Sequence, residues 1–159
     1  MRIRPGCAAD VPAILEIWNP LIRDTGATFT SVEKTADGLA AVIAERGDAF
    51  LVAEDAGAVL GFASYGSFRD GPGYLHTAEH SVILSPGAQG RGVGRALMRR
   101  LEDEARARGV HLLVAAVSGE NASALAFHRA IGFEEGGRLP EAGRKFGRWM
   151  DLVLMHKRL

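Results

Sequence analysis

One cysteine in 159 residues, Cys7, leaves no intrachain disulfide to form. Packing must therefore hold the fold, as suits a reducing cytoplasm, and the lone thiol reads as a bystander. Charge of one sign is missing too. Nineteen basic and nineteen acidic side chains cancel, which argues against a protein that binds nucleic acid or an anionic membrane through its bulk charge. The purely apolar runs, such as Leu112 to Val117, are far shorter than the roughly 20 residues that span a bilayer, and Met1-Arg-Ile-Arg-Pro5 has no signal-like apolar segment. A cytoplasmic protein is expected. No set of His, Cys, Asp and Glu shows metal-ligand spacing, so no metal is expected. Linkers, repeats and low-complexity segments are also lacking, which points to a single domain over residues 1–159.

What the chain does have is clear periodicity. Asp10 before Pro12, then Ile14, Leu15, Trp18 and Leu21, marks the opening of a helix with Asp10 as its side-chain cap. Thr35 is placed to cap a second helix running through Leu39, Val42 and Ile43 to Gly47. Between them, Thr25 to Glu33 has no helical period and carries Phe29, an aromatic in need of a pocket, so this loop is a candidate to face substrate. Phe50–Glu54 and Val59–Tyr65, joined through Asp55-Ala56-Gly57, read as a β-hairpin, and His76–Leu84 as a third strand. Val93, Leu97, Leu101 and Ala105 share one face of a helix from about Gly92 to Arg108, stopped by Gly109. His111–Ser118 has the near-continuous apolar character of a strand buried on both faces. Asn121 is placed to cap a fourth helix ending at Gly132, and Met150–Met155 reads as a closing strand. The order is a strand, two helices, three strands, a helix, a strand, a helix and one or two terminal strands, which makes an α/β domain.

The chemistry concentrates at Ser85-Pro-Gly-Ala-Gln-Gly-Arg-Gly-Val-Gly-Arg95, where a strand enters a helix. Backbone freed of side chains just before a helix can aim several N–H groups at one anion, aided by the helix dipole, so the segment reads as a phosphate or pyrophosphate cradle. The plain alternative is a glycine-rich turn. A nucleotide-hydrolysing P-loop would need Lys and Ser or Thr after its last glycine, whereas Arg95-Ala96 follows here. A dinucleotide fold would place its glycines in the first βα unit, whereas these lie some 80 residues into the chain. Arg91 and Arg95 stand close enough to meet phosphates; Arg99, on the same stripe, belongs to a solvated face with Glu102, Asp103 and Glu104.

Gln89-x-x-Gly92-x-Gly94 after an apolar strand resembles the acetyl-CoA pyrophosphate motif of the GNAT superfamily of N-acetyltransferases. Asn121-Ala-Ser-Ala-Leu-Ala-Phe-His-Arg-Ala-Ile-Gly-Phe133 resembles that family's second CoA-side element. Ala78–Pro86 and Gly143–Trp149 look more narrowly like the phosphinothricin and methionine-sulfoximine acetyltransferase branch, with Ile83 replacing the aromatic usual in that strand. The resemblance implies a single-domain acyl-CoA N-acyltransferase fold, a mixed and mainly antiparallel sheet splayed near Glu79 and flanked by about four helices. It implies acetyl-CoA as co-substrate, bound by Val82, Ile83 and Leu84 of the strand, by Gln89, Gly90, Arg91, Gly92, Val93, Gly94 and Arg95 of the cradle, and by Asn121, Ser123 and Phe127 of the next helix.

Amine attack on a thioester needs a proton acceptor and benefits from a donor to the departing thiolate. The resemblance assigns these roles to Glu79 and His128, the latter in place of a more common tyrosine. His80, on the opposite strand face from Glu79, is read as structural. The branch further implies a small amino-acid analogue such as phosphinothricin, methionine sulfoximine or methionine sulfone as acceptor. Arg69 would grip its carboxylate and Phe29 pack on its stem, and Lys145 and Phe146 would wall the acceptor pocket of a partner in a homodimer. Plainer roles stand beside these. Glu79 also reads as a carboxylate paired with an arginine, His128 as a packed helix residue, Arg69 as a solvated neighbour of Asp70, Lys145 as a loop charge and Phe146 as a core aromatic. Two other functions fit the same residues, a peptide or protein N-acetyltransferase with an open groove and a catalytically silent CoA-binding sensor.

Overall fold

A computed structural model describes residues 1–159 throughout. Seven strands, β1 (Arg2–Pro5), β2 (Phe50–Asp55), β3 (Ala58–Ser67), β4 (Thr77–Leu84), β5 (Leu112–Ser118), β6 (Glu134–Lys145) and β7 (Arg148–Arg158), form one sheet in the order β1-β2-β3-β4-β5-β7-β6. Every neighbouring pair is antiparallel except β4 and β5. Helices α1 (Val11–Asp24) and α2 (Ala36–Arg46) cover one face; α3 (Val93–Ala107) and α4 (Ala122–Ala130) serve the other.

Alternation of side chains along the strands sorts the core into two layers. Phe50, Val52 and Phe62 pack with Ile14, Leu39 and Ile43 under α1 and α2. Leu51, Ala53 and Ala63 point the other way, joining Leu97, Leu101, Leu113, Val153 and Met155 under α3. Because both faces of the central strands are covered, β2 and β5 carry nearly unbroken apolar sequence. On β4 the same alternation turns Ala78, Val82 and Leu84 toward α3 and Ile83 toward α1, so Glu79 shares the α1/α2 face.

Two expected caps form: Thr35 Oγ1 accepts from the Gly38 N–H at 3.2 Å, and Asn121 Oδ1 from the Ala124 N–H at 3.1 Å. Asp10 departs from expectation. It sits at the start of α1, but its carboxylate makes no cap bond to that helix; it takes two 2.8 Å bonds from Arg4 and one from the Cys7 N–H. A guanidinium fork outcompetes the helix amides and holds the Asp10 carboxyl below the usual carboxylate range. The strand β6 was absent from the periodicity because most of it is exposed, it carries Gly136, Gly137, Pro140 and Gly143, and bulges break its register against β7.

Candidate active site

β4 and β5 run parallel for only three residue pairs, Thr77 with Leu112, Ala78 with Leu113 and Glu79 with Val114. Beyond Glu79 they part. The gap is a cavity of about 150 Å³ between His80–Ile83 on one strand and Ala115–Val117 on the other, with His128 and Ala124 of α4 beside it and Leu21, Ala27 and Thr28 closing the α1 side. It continues into a groove of about 340 Å³ that reaches Leu84, Gln89, Gly90, Gly94, Ser123 and Phe127.

At the far end of that groove the glycine loop turns into α3. No backbone N–H from Gln89 to Arg95 donates to an acceptor within the protein; the first bonded one is Ala96, at 3.0 Å from the Gly92 carbonyl. Seven consecutive free donors at a helix N-terminus make a receptor for an anion such as a pyrophosphate. Gly90 and Gly92 hold this course with φ of +72° and +78°, a backbone region that L side chains strain to enter. Gly94 serves differently: it brings α3 against α4, where a Cβ would come 3.2 Å from the Phe127 ring. Val93 has its side chain in the core and offers the groove only its backbone. Arg91 and Arg95 are exposed beside the loop, Arg91 with its guanidinium 3.8 Å from Asp55. Asn121, besides capping α4, accepts from Ser123 Oγ at 3.0 Å, which fixes both at the groove wall.

Glu79 stands at the point where the strands separate. It is half-buried and has neither a hydrogen bond nor an ion pair; burial without a counter-charge pushes its carboxyl up from 4.5. Across the strand, on the gap side, His80 and His128 meet with their Nε2 atoms 3.0 Å apart, both buried and both burdened by desolvation that favours the neutral ring. The two imidazoles thus line the narrow cavity, while the unpaired Glu79 carboxylate stands on the opposite face of β4 at the point where the strands part.

The model of the Acetyltransferase (GNAT) family matches residues 14–133. The chain belongs to the GNAT family of acetyltransferases. This GNAT enzyme is an acetyl-CoA-dependent N-acetyltransferase with the family's α/β fold. It is 41% identical over 161 residues to an L-methionine sulfoximine/L-methionine sulfone acetyltransferase of Pseudomonas paraeruginosa, covering 99% of this chain and 94% of that one. Among solved structures it resembles a ribosomal-protein-alanine N-acetyltransferase from Brucella melitensis, with a TM-score of 0.94 and 41% identity over all of both chains. It also resembles a GNAT superfamily phosphinothricin acetyltransferase from Sinorhizobium meliloti in complex with acetyl-CoA, with a TM-score of 0.92 and 33% identity over 99% of this chain and 88% of that one.

On the other side of the GNAT enzyme's gap, the four residues expected near the acceptor fall in different places. Lys145 is buried, and its ammonium donates to the carbonyls of Ile22, Thr25 and Thr28 at 2.6, 2.6 and 2.8 Å. These bonds lie within one chain and tie down the loop after α1. Phe29, in that loop, lies so close over Gly143 of β6 that any side chain at 143 would collide with its ring. It lines neither the cavity nor the groove, although its neighbours Ala27 and Thr28 do border the cavity. Phe146 is not a core aromatic: it stands more than half exposed at the tip of the β6–β7 hairpin. Arg69 is exposed, stacks 5.4 Å over Phe68, and lines a wide recess of about 840 Å³ at the other end of β3 and β4.

Arg46 went unnoticed in the sequence. It rises from the end of α2 into the same recess, donates to Ser64 Oγ at 2.6 Å, and has no carboxylate within ion-pair distance. Its guanidinium comes within 3.0 Å of where a Cβ on Gly66 would lie, and Gly66 is the cross-strand partner of Glu79. The signal was Gly66 itself, since a glycine inside a strand often marks the close approach of another group.

Proposed function

We propose that this acetyltransferase acts on the α-amino group of a small amino acid with a tetrahedral polar side group, such as methionine sulfoximine, methionine sulfone or phosphinothricin, and works in the cytoplasm as a homodimer. The observation that carries the reading is the unpartnered, half-buried Glu79 at the parting of β4 and β5, with the Arg46 guanidinium, in no direct ion pair, over its cross-strand neighbour. The Pseudomonas relative, with its matching length and 41% identity, supports the acceptor class.

The amine and acetyl-CoA bind together and no acyl-enzyme forms. The cradle from Gln89 to Arg95 takes the pyrophosphate, Val82, Ile83 and Leu84 line the path of the thioester, and Asn121, Ser123 and Phe127 form the opposite wall. Glu79 accepts the proton lost by the attacking nitrogen, and His128 supplies one to the departing sulfur. Arg46 and Arg69, which share one recess beside Gly66, hold the acceptor carboxylate. Phe29 and Lys145 act at one remove by setting the loop that carries Ala27 and Thr28.

Leu139 of β6, Phe146 at the hairpin tip and Trp149 of β7 are each large, apolar and exposed, which supports pairing of two copies through this hairpin, with Phe146 reaching the partner's acceptor side. The likeness to the ribosomal-protein-alanine N-acetyltransferase of Brucella melitensis favours a second reading, transfer to an alanine of a protein. Replacing Arg69 with Lys keeps the charge and loses the fork. The KM for methionine sulfone should rise about tenfold or more, as for loss of a charged hydrogen bond, while a simple amine without a carboxylate is spared. Equal slowing of both acceptor types, or a wild-type preference for alanine-terminated peptides, would remove the amino-acid assignment.

A further inference from the structure

Three contacts run in a row from β5 through β4 to α4. His80 Nδ1 lies 3.0 Å from the Val114 carbonyl, His80 Nε2 lies 3.0 Å from His128 Nε2, and His128 Nδ1 lies 2.7 Å from the Ala124 carbonyl. A carbonyl oxygen only accepts, so each Nδ1 must donate. A neutral imidazole has one N–H, and in both rings it is then used at Nδ1, leaving two Nε2 lone pairs face to face. Three contacts need three protons, and two neutral rings bring two.

We propose that His80 and His128 form one dyad holding a single additional proton between their Nε2 atoms, with His80 as the positioning residue that keeps this proton available to the departing sulfur of CoA. The proposal rests on the reading of His128 as proton donor and extends it to a second residue. Both rings border the cavity between the splayed strands.

The surroundings fix the arrangement. Phe133 packs 5.2 Å from each ring and Phe127 lies 5.3 Å from His128, so water does not stand in for the missing proton on those sides. Other titratable groups are near but do not touch the pair. The Lys157 ammonium of β7 lies 5.9 Å over Phe133 and is bound by Glu102 of α3 at 2.8 Å; His156 pairs with Val114 across β5 and β7; Glu79 faces away on the opposite side of β4. Burial lowers the proton affinity of both rings, so a proton held between their Nε2 atoms is given up readily to a developing thiolate.

When the carbon–sulfur bond breaks, its electron pair goes to sulfur, which takes the shared proton from His128. Two neutral rings remain with their lone pairs opposed, and this mismatch favours recapture of a proton from solvent. The amine proton released through Glu79 balances the one consumed.

NMR of the wild-type protein carrying ¹⁵N-labelled histidine tests the count directly. At neutral pH the expected spectrum has protons on both Nδ1 atoms and one hydrogen-bonded proton shared by the two Nε2 atoms; two neutral rings without that proton would overturn the proposal. His80→Asn keeps a donor for Val114, but its shorter side chain places no acceptor where the His80 Nε2 stood. Its kcat should fall about 10- to 100-fold, inside the range of general acid catalysis, with KM for acetyl-CoA held. Its alkaline limb should move to lower pH, because His128 alone in an apolar site loses its proton sooner. His80→Gln places an acceptor near the former Nε2 and should restore much of the rate. Full rates and an unmoved limb in both variants would overturn the dyad. His128→Phe separates the two claims: a slow His128→Phe with a fast His80→Asn removes the dyad alone, and a fast His128→Phe removes the donor assignment and the dyad together.

Discussion

Glu79→Gln should slow turnover by about 10²–10⁴-fold and leave acetyl-CoA affinity unchanged, the range typical of a lost general base. Gln matches the shape of Glu and cannot take the amine's proton. Burial holds the Glu79 carboxyl above its ordinary 4.5, and no guanidinium or ammonium offsets that. As pH falls through this raised value the carboxylate becomes protonated and kcat/KM drops; as pH rises through it, activity recovers. The variant should lack that acid limb. At high pH the acceptor is already deprotonated in solution, so the defect should narrow. Steady-state rates of both proteins over a pH series check all three points, and equal rates throughout would contradict the role.

Gly92→Leu should abolish the stabilisation of the fold by acetyl-CoA. A ligand at one hundred times its Kd stabilises the folded state by about 2.7 kcal/mol. For a domain of this size that raises Tm on the order of 5–10 °C. Gly92 holds φ of +78° with open space where a side chain would extend, so Leu strains the loop and fills the cradle without touching the core. Loss of the left-handed residue costs about 1–2 kcal/mol in the free protein, a small drop in Tm against an unaltered far-ultraviolet spectrum. Gly94 makes a poorer probe, since its Cβ would press on Phe127 and Leu84. Thermal scans with and without acetyl-CoA check this, and equal shifts in wild type and variant would place the pyrophosphate elsewhere.

Elements whose fate depends on local pattern were legible in the sequence. Val93, Leu97, Leu101 and Ala105 formed the buried face of α3, His111–Ser118 contained the doubly covered β5, and the caps Thr35 and Asn121 formed as read. Elements fixed by a distant partner were not. β6 takes its register from β7, and the Asp10 carboxylate is drawn from its helix by Arg4. Within the site, the glycine spacing marked the run of unbonded N–H groups from Gln89 to Arg95, because donors before a helix are a local property. The destination of the Lys145 ammonium, 117 to 123 residues away along the chain, carried no local mark. Arg46 and the contact of His80 with His128 likewise arise only once β3, β4 and α4 are assembled.

The most direct measurement is to incubate the protein with acetyl-CoA and L-methionine sulfone, following free thiol and identifying the product by mass spectrometry, beside a simple amine and an alanine-terminated peptide. The expected result is one N-acetylmethionine sulfone formed for each CoA released, faster than with either competitor. Acetyl-CoA that stabilises the protein yet releases no CoA with any amine would contradict it and leave a silent CoA-binding protein.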